Sequence, residues 1–232
     1  MAVISASFRQ RFRATIEQPV ARVFARTGLS PNALTLIGFA IAGVGAGLAA
    51  AQIWLLAGLV VAFGAVFDLF DGALARATGK TSRFGAFLDS TMDRAGEAVV
   101  YIGIAAGVVG WTLEGSYAGA VLFVLAAIAA MAASFMVSYT RAKSESLGFS
   151  SGTGMASVGI APREIRMVIL VIGLIGTGLT GGIGTMFYPT TGQGLPLLGA
   201  LALIAVLATI TTIQRIYFVY RQSQSTNQEA QK

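Results

Sequence analysis

Four stretches of this chain contain no Lys, Arg, Asp or Glu: Thr27 to Phe67, Ala98 to Leu113, Gly115 to Thr140 and Met167 to Gln214. A helix needs roughly 20 residues to cross a hydrocarbon core, so the two longest stretches must each fold back once. Charged residues make up 11% of the chain, against about 25% in soluble globular domains, and the mean hydropathy is +0.75. In lipid every backbone N–H and C=O has to be paired within the chain. The alternating ten-residue segments of a membrane β-barrel are missing, which leaves helices. The expected fold class is an all-α integral membrane protein with six transmembrane helices, over 33–51, 53–77, 85–111, 117–146, 162–187 and 194–221. An interfacial amphipathic helix is expected before them.

The chain divides accordingly into a juxtamembrane segment over 1–28, a six-helix membrane domain over 29–222 and a polar tail over 223–232. The first segment mixes basic and apolar residues at helical spacing (Phe8, Arg9, Arg11, Phe12, Arg13, then Val20, Arg22, Val23, Phe24, Arg26). This pattern suits a helix lying in the interface with Arg toward anionic head groups. Gly110 to Gly115 and Tyr188 to Pro196 carry the Gly and Pro that end helices. On this layout all 16 Lys and Arg fall on one side, in the N-terminal segment, the 2–3 and 4–5 connections with their adjoining helix ends, and the C-terminal end. The positive-inside rule then places both termini in the cytoplasm of a multi-pass protein of the cell membrane.

Against this background four acids stand out: Asp68 and Asp71 near the end of the second helix, Asp89 and Asp93 near the start of the third. A charged side chain inside a membrane segment costs at least ~2.5 kcal/mol, so such residues mark function. Spacings of three and four put each pair on one face of its helix. Two carboxylate pairs facing each other repel strongly unless hard divalent cations with oxygen ligands neutralise them, and Mg²⁺ or Mn²⁺ is the natural reading. Two such ions hold both sides of a displacement at phosphorus. Gly72 and Gly85 leave room beside the acids, and Arg76, one turn on, suits a phosphate oxygen. With neither Cys nor His in the chain, thiol chemistry is excluded and acid–base work falls to carboxylates.

The run Asp68-x2-Asp71-Gly72-x2-Ala75-Arg76-x8-Gly85-x3-Asp89-x3-Asp93 resembles the signature of the CDP-alcohol phosphotransferases at all eight of its positions. These membrane enzymes move a phosphatidyl or related group from a cytidine diphosphate donor to an alcohol and release CMP. The resemblance implies six transmembrane helices after a juxtamembrane helix, a homodimer, and two Mg²⁺ ions, with Mn²⁺ as the alternative. It implies that Asp68, Asp71 and Asp89 are metal ligands, and that Asp93 is both a ligand and the base for the acceptor hydroxyl. Asn32, Thr35, Gly72, Arg76 and Ser82 would line the site of the donor, CDP-diacylglycerol. Ser30 and Pro31 before them suit the N-cap and first position of a helix.

Basic residues recur at the same end of the later helices: Arg141, Lys143, Arg163, Arg166 and Arg215. Guanidinium groups grip phosphate oxygens in pairs, so a pocket of this kind selects an acceptor that carries its own phosphate. Within the family the layout is most similar to phosphatidylinositol phosphate synthases, whose acceptor is inositol 1-phosphate. Glycerol 3-phosphate, the acceptor of phosphatidylglycerophosphate synthases, is the alternative. A reading from a different class, a cation transporter or channel lined by the acids, requires polar groups through the full depth of the bilayer. Here the four acids stay at one end. No feature points to nucleic acid.

Overall fold

The computed structural model describes residues 28–110, 117–149, 158–180 and 194–229, without the side chains of Leu69, Asp71, Tyr117, Ala118 and 225–229. Six helices follow one another: α1 (Pro31–Ala50), α2 (Trp54–Ala77), α3 (Arg83–Gly110), α4 (Tyr117–Ser146), α5 (Arg163–Thr180) and α6 (Leu195–Glu229). No strand occurs among the described residues. The N-terminal amphipathic segment and the Gly- and Pro-containing stretches at 111–116 and 188–193 lie outside them.

Local chemistry sets the helix starts. Ser30 caps α1 by accepting from the Ala33 amide at 3.1 Å, with Pro31 at the first helical position. Ser82 does the same for α3, accepting from Gly85 N–H at 2.9 Å. Between α2 and α3 the chain turns at Gly79, whose φ of +66° is one that residues with a Cβ rarely adopt. α6 runs past position 221 as far as Glu229, because nothing from Gln222 onward is a Gly or Pro to stop it.

Four helices, α1, α2, α4 and α6, contain segments long and apolar enough to cross a membrane. α3 and α5 differ because charges occupy their N-terminal parts: Asp89, Asp93, Arg94 and Glu97 on α3, and Arg163, Glu164 and Arg166 on α5. Many large apolar side chains face outward, among them Phe63, Ile172, Leu179 and Val206. Such a surface suits lipid rather than water.

The six helices close into a ring. α1 packs on α2, α2 on α5, α5 on α6, α6 on α4, α4 on α3, and α3 returns to α1. All six send side chains to its interior, including Ala49, Val61, Ile104, Phe123, Leu170, Leu174, Leu201 and Ile204. Glycine sets the closest approaches. A Cβ on Gly103 or Gly107 of α3 would run into the backbone of Ala46 or Ala49 on α1, and one on Gly178 of α5 would meet the backbone of Leu55 on α2. The Gly43-x3-Gly47 spacing, also suited to close contact, faces open space instead.

Candidate active site

The acids lie where α2 ends and α3 begins, and the short capped turn through Gly79 and Ser82 sets those ends side by side. Asp68 of α2 and Asp93 of α3 are bridged by one residue of a third helix. Arg163, at the start of α5, places Nη2 2.9 Å from Asp68 Oδ2 and Nη1 2.9 Å from Asp93 Oδ1. All three side chains are part-buried. Arg163 Nε is buried and makes no hydrogen bond. The backbone just before α5 is held by α6, since Ala161 N–H donates to Thr211 Oγ1 at 3.0 Å.

Asp68 also leans on α1. A Cβ on Gly38 would collide with its Oδ1, so only glycine at 38 leaves room for the carboxylate. Asp89 and Asp68 are both within electrostatic reach of Asp93, as are Arg163 and Arg94. Among the described residues no three acids close into a single coordination shell. The side chain of Asp71, one turn after Asp68 on α2, lies outside them. The donor set is oxygen only, and one planar cation spans two of its carboxylates at hydrogen-bond distance. That arrangement fits hard divalent ions.

Beside the acids a cavity of about 180 Å³ brings together Asn32, Thr35, Gly72, Arg76 and Ser82, with Gly85, Asp89, Lys80 and Thr81 completing its wall. Its shape follows from the small residues. A Cβ on Gly72 would stand 3.2 Å from an Arg76 guanidinium nitrogen, so the space at Gly72 is covered by Arg76 itself. One on Gly85 would stand 3.1 Å from Ser82 Oγ and 3.3 Å from Asn32 Oδ1. Thr35 donates its hydroxyl to Pro31 O at 3.2 Å. Ser82 therefore both caps α3 and lines the cavity.

The five basic residues fall into two groups. Arg163 joins the acids. Arg215 lies within electrostatic reach of Arg141 and Arg166. Arg166, 1% exposed, spends its donors on Glu97 and on the Ala161 carbonyl. Arg215, 3% exposed, donates to the carbonyl oxygens of Val158 and Val137. Arg141 is exposed and paired with Glu145 at 2.9 Å, and Lys143 is exposed on the same turn of α4.

Glu97 is the residue that the sequence reading missed. It extends the row Gly85, Asp89, Asp93 by another four positions on α3, so the spacing itself marked it. Gly38 carried no such mark, because its role depends on contact with another helix.

Comparison with known proteins agrees with this geometry. The archaetidylinositol phosphate synthase of Pyrococcus horikoshii is 40% identical over 171 residues, covering 70% of this chain and 79% of the relative. The phosphatidylinositol phosphate synthase of Mycolicibacterium smegmatis is 38% identical over 160 residues, covering 68% and 67%. Among solved structures, the Mycobacterium tuberculosis phosphatidylinositol phosphate synthase with CDP-DAG bound superposes with a TM-score of 0.70 at 30% identity, covering 88% of this chain and 94% of that one. The same enzyme in complex with manganese and citrate also gives a TM-score of 0.70. Residues 28–213 match the family model described as CDP-alcohol phosphatidyltransferase. With its acid-bearing helix ends in place and a match running through nearly the whole ring, this chain is a membrane enzyme of the CDP-alcohol phosphatidyltransferase family.

Proposed function

We propose that this enzyme transfers the phosphatidyl group of CDP-diacylglycerol to a hydroxyl of inositol 1-phosphate and releases CMP. The observation that carries the proposal is the single cavity that gathers Asn32, Thr35, Gly72, Arg76 and Ser82 against Asp89, beside the Asp68–Asp93 pair. Asp68, Asp71, Asp89 and Asp93 would hold two Mg²⁺ ions, or Mn²⁺. When bound, these ions neutralise charge at the diphosphate and polarise the attacking hydroxyl.

Asp93 takes the proton from the acceptor hydroxyl. The freed oxygen bonds to the lipid-linked phosphorus, and the bond from that phosphorus to the oxygen of the CMP phosphate breaks. CMP leaves with the electron pair, its phosphate held by Arg76. The two lipid chains of the donor lie along the outward apolar faces of the helices, so the site opens to both cytosol and bilayer.

A phosphorylated acceptor is favoured by the positive charge gathered at one end of α4, α5 and α6. In this reading exposed Arg141 and Lys143, together with Arg163, would grip the acceptor phosphate. Buried Arg166 and Arg215 stand behind them as fixed charge and hold the pocket's backbone. The relatives named above as inositol phosphate lipid synthases favour inositol 1-phosphate over glycerol 3-phosphate. Reading α3 and α5 as spans along with the other four gives six transmembrane helices, with the N-terminal segment at the interface. Both termini and the site then face the cytoplasm, and the working unit is a homodimer.

The test is CMP release by purified protein with Mg²⁺ and CDP-diacylglycerol, offering inositol 1-phosphate, glycerol 3-phosphate, inositol and serine in turn. Release with inositol 1-phosphate alone is the expected result. Release with glycerol 3-phosphate alone would reassign the acceptor, and no release with any of them would overturn the donor.

A further inference from the structure

Arg163 stands where the proposed function needs a metal ion. Its two terminal nitrogens each contact a different carboxylate at 2.9 Å, one from α2 and one from α3. We propose that Arg163 is the internal counter-ion of the metal site: it neutralises Asp68 and Asp93 when no divalent cation is bound, and it must leave before both acids can ligate one. The inference rests on the reading of Asp68 and Asp93 as metal ligands.

One chemical argument and two observations support it. A carboxylate oxygen that accepts from a guanidinium has that lone pair engaged, and the positive charge repels a second cation at the same place. This pose also leaves Arg163 Nε buried without a hydrogen-bond partner, which disfavours it. Finally, a small cavity of about 20 Å³ adjoins Asp68, Asp93, Glu97 and Arg163, so the packing around the guanidinium is not full.

The start of α5 is pinned by the Ala161–Thr211 hydrogen bond, so the movement belongs to the side chain and not to the helix. Once displaced, the guanidinium keeps its charge and is available to the acceptor's phosphate. One residue then serves two posts in sequence, and cation binding prepares the acceptor pocket. The closed state lowers the apparent cation affinity by the fraction of molecules in which Arg163 is out of the way.

The experiment is a Mn²⁺ titration of the metal-free full-length protein in detergent, following the electron paramagnetic resonance signal of the free ion, with neither nucleotide nor acceptor present. Arg163→Gln is expected to tighten Mn²⁺ binding by about 5-fold or more, a typical coupling between competing occupants. Equal or weaker binding overturns the proposal. Arg163→Lys, a single point charge that cannot span both acids, is expected to tighten binding less, and it serves where the Gln variant does not fold. Melting temperatures give a second readout. Arg163→Gln should lower the metal-free value more than the Mn²⁺-saturated one, whereas an equal loss in both makes Arg163 merely structural and overturns the proposal. Asp68→Asn separates this inference from the reading beneath it: unchanged Mn²⁺ binding in that variant means the ions sit elsewhere, and both fall.

Discussion

Glu97 and Arg166 meet side-on inside the helix ring, with Arg166 Nε 3.1 Å from Glu97 Oε1 and Nη2 2.9 Å from Oε2. Neither side chain is more than 5% exposed. A buried pair of this kind contributes little net stability, but removing one partner strands the other charge. Glu97→Leu is therefore expected to destabilise the protein by about 3–5 kcal/mol, read as a lower melting temperature in detergent. The Glu97→Leu/Arg166→Leu double variant should recover most of the loss. Additive losses would mean that the two residues act independently.

Asp93→Asn keeps the shape of the side chain and removes its ability to take a proton. CMP release should fall by about 10²–10⁴-fold, the usual contribution of a general base, while CDP-diacylglycerol binding changes little. Full turnover by this variant with metal present would remove Asp93 from the role of base.

Two glycines separate chemistry from packing. Gly38→Ala places a methyl against the Asp68 carboxylate, so Mn²⁺ affinity and turnover should drop with little change in melting temperature. Gly103→Ala drives α3 away from the Ala46 backbone and should cost about 1–3 kcal/mol of stability, with turnover per folded molecule preserved. A reversal of these two patterns would contradict the placement of Asp68 against α1.

Arg215 holds the Val137 and Val158 carbonyls, at the end of the ring proposed to bind the acceptor. Arg215→Ala should raise the KM for the acceptor well above any change in the KM for CDP-diacylglycerol. Equal effects on both substrates would sink the phosphate pocket.

Much of this architecture was legible in the sequence, because in a membrane chain the absence of charge is itself a ruler. The runs around Gly45, Ala57, Ile104 and Ala127 became helices within a few residues of where their lengths placed them, and those around Leu170 and Ile204 begin within one residue of it; the end expected for the fifth helix, at 187, lies outside the described residues. Ser30, Gly79 and Ser82 mark their turns by ordinary capping chemistry. The cavity residues were also legible: Gly72, Arg76 and Gly85 sit at fixed offsets from the acids, and the family resemblance pointed to Asn32, Thr35 and Ser82. The polar residues after Gln222 read as a tail, yet polarity alone does not end a helix, and α6 continues through them. What spacing along the chain cannot carry is the meeting of Arg163 with Asp68, 95 positions away. The basic residues looked alike in sequence. Only the fold separates Arg163, turned toward the acids, from Arg166 and Arg215, held by Glu97 and by carbonyl oxygens.

The row Gly85, Asp89, Asp93, Glu97 on α3 bears on how this protein tolerates change in length. One helical residue turns the chain by about 100° and advances it about 1.5 Å. Deleting or inserting a single residue within that row would leave the cavity wall, the proposed base and the buried ion pair pointing in different directions, while hardly altering hydropathy. Insertions and deletions that are harmless in the connections are therefore expected to be lethal to activity between Gly85 and Glu97, even where the altered protein still inserts into a membrane.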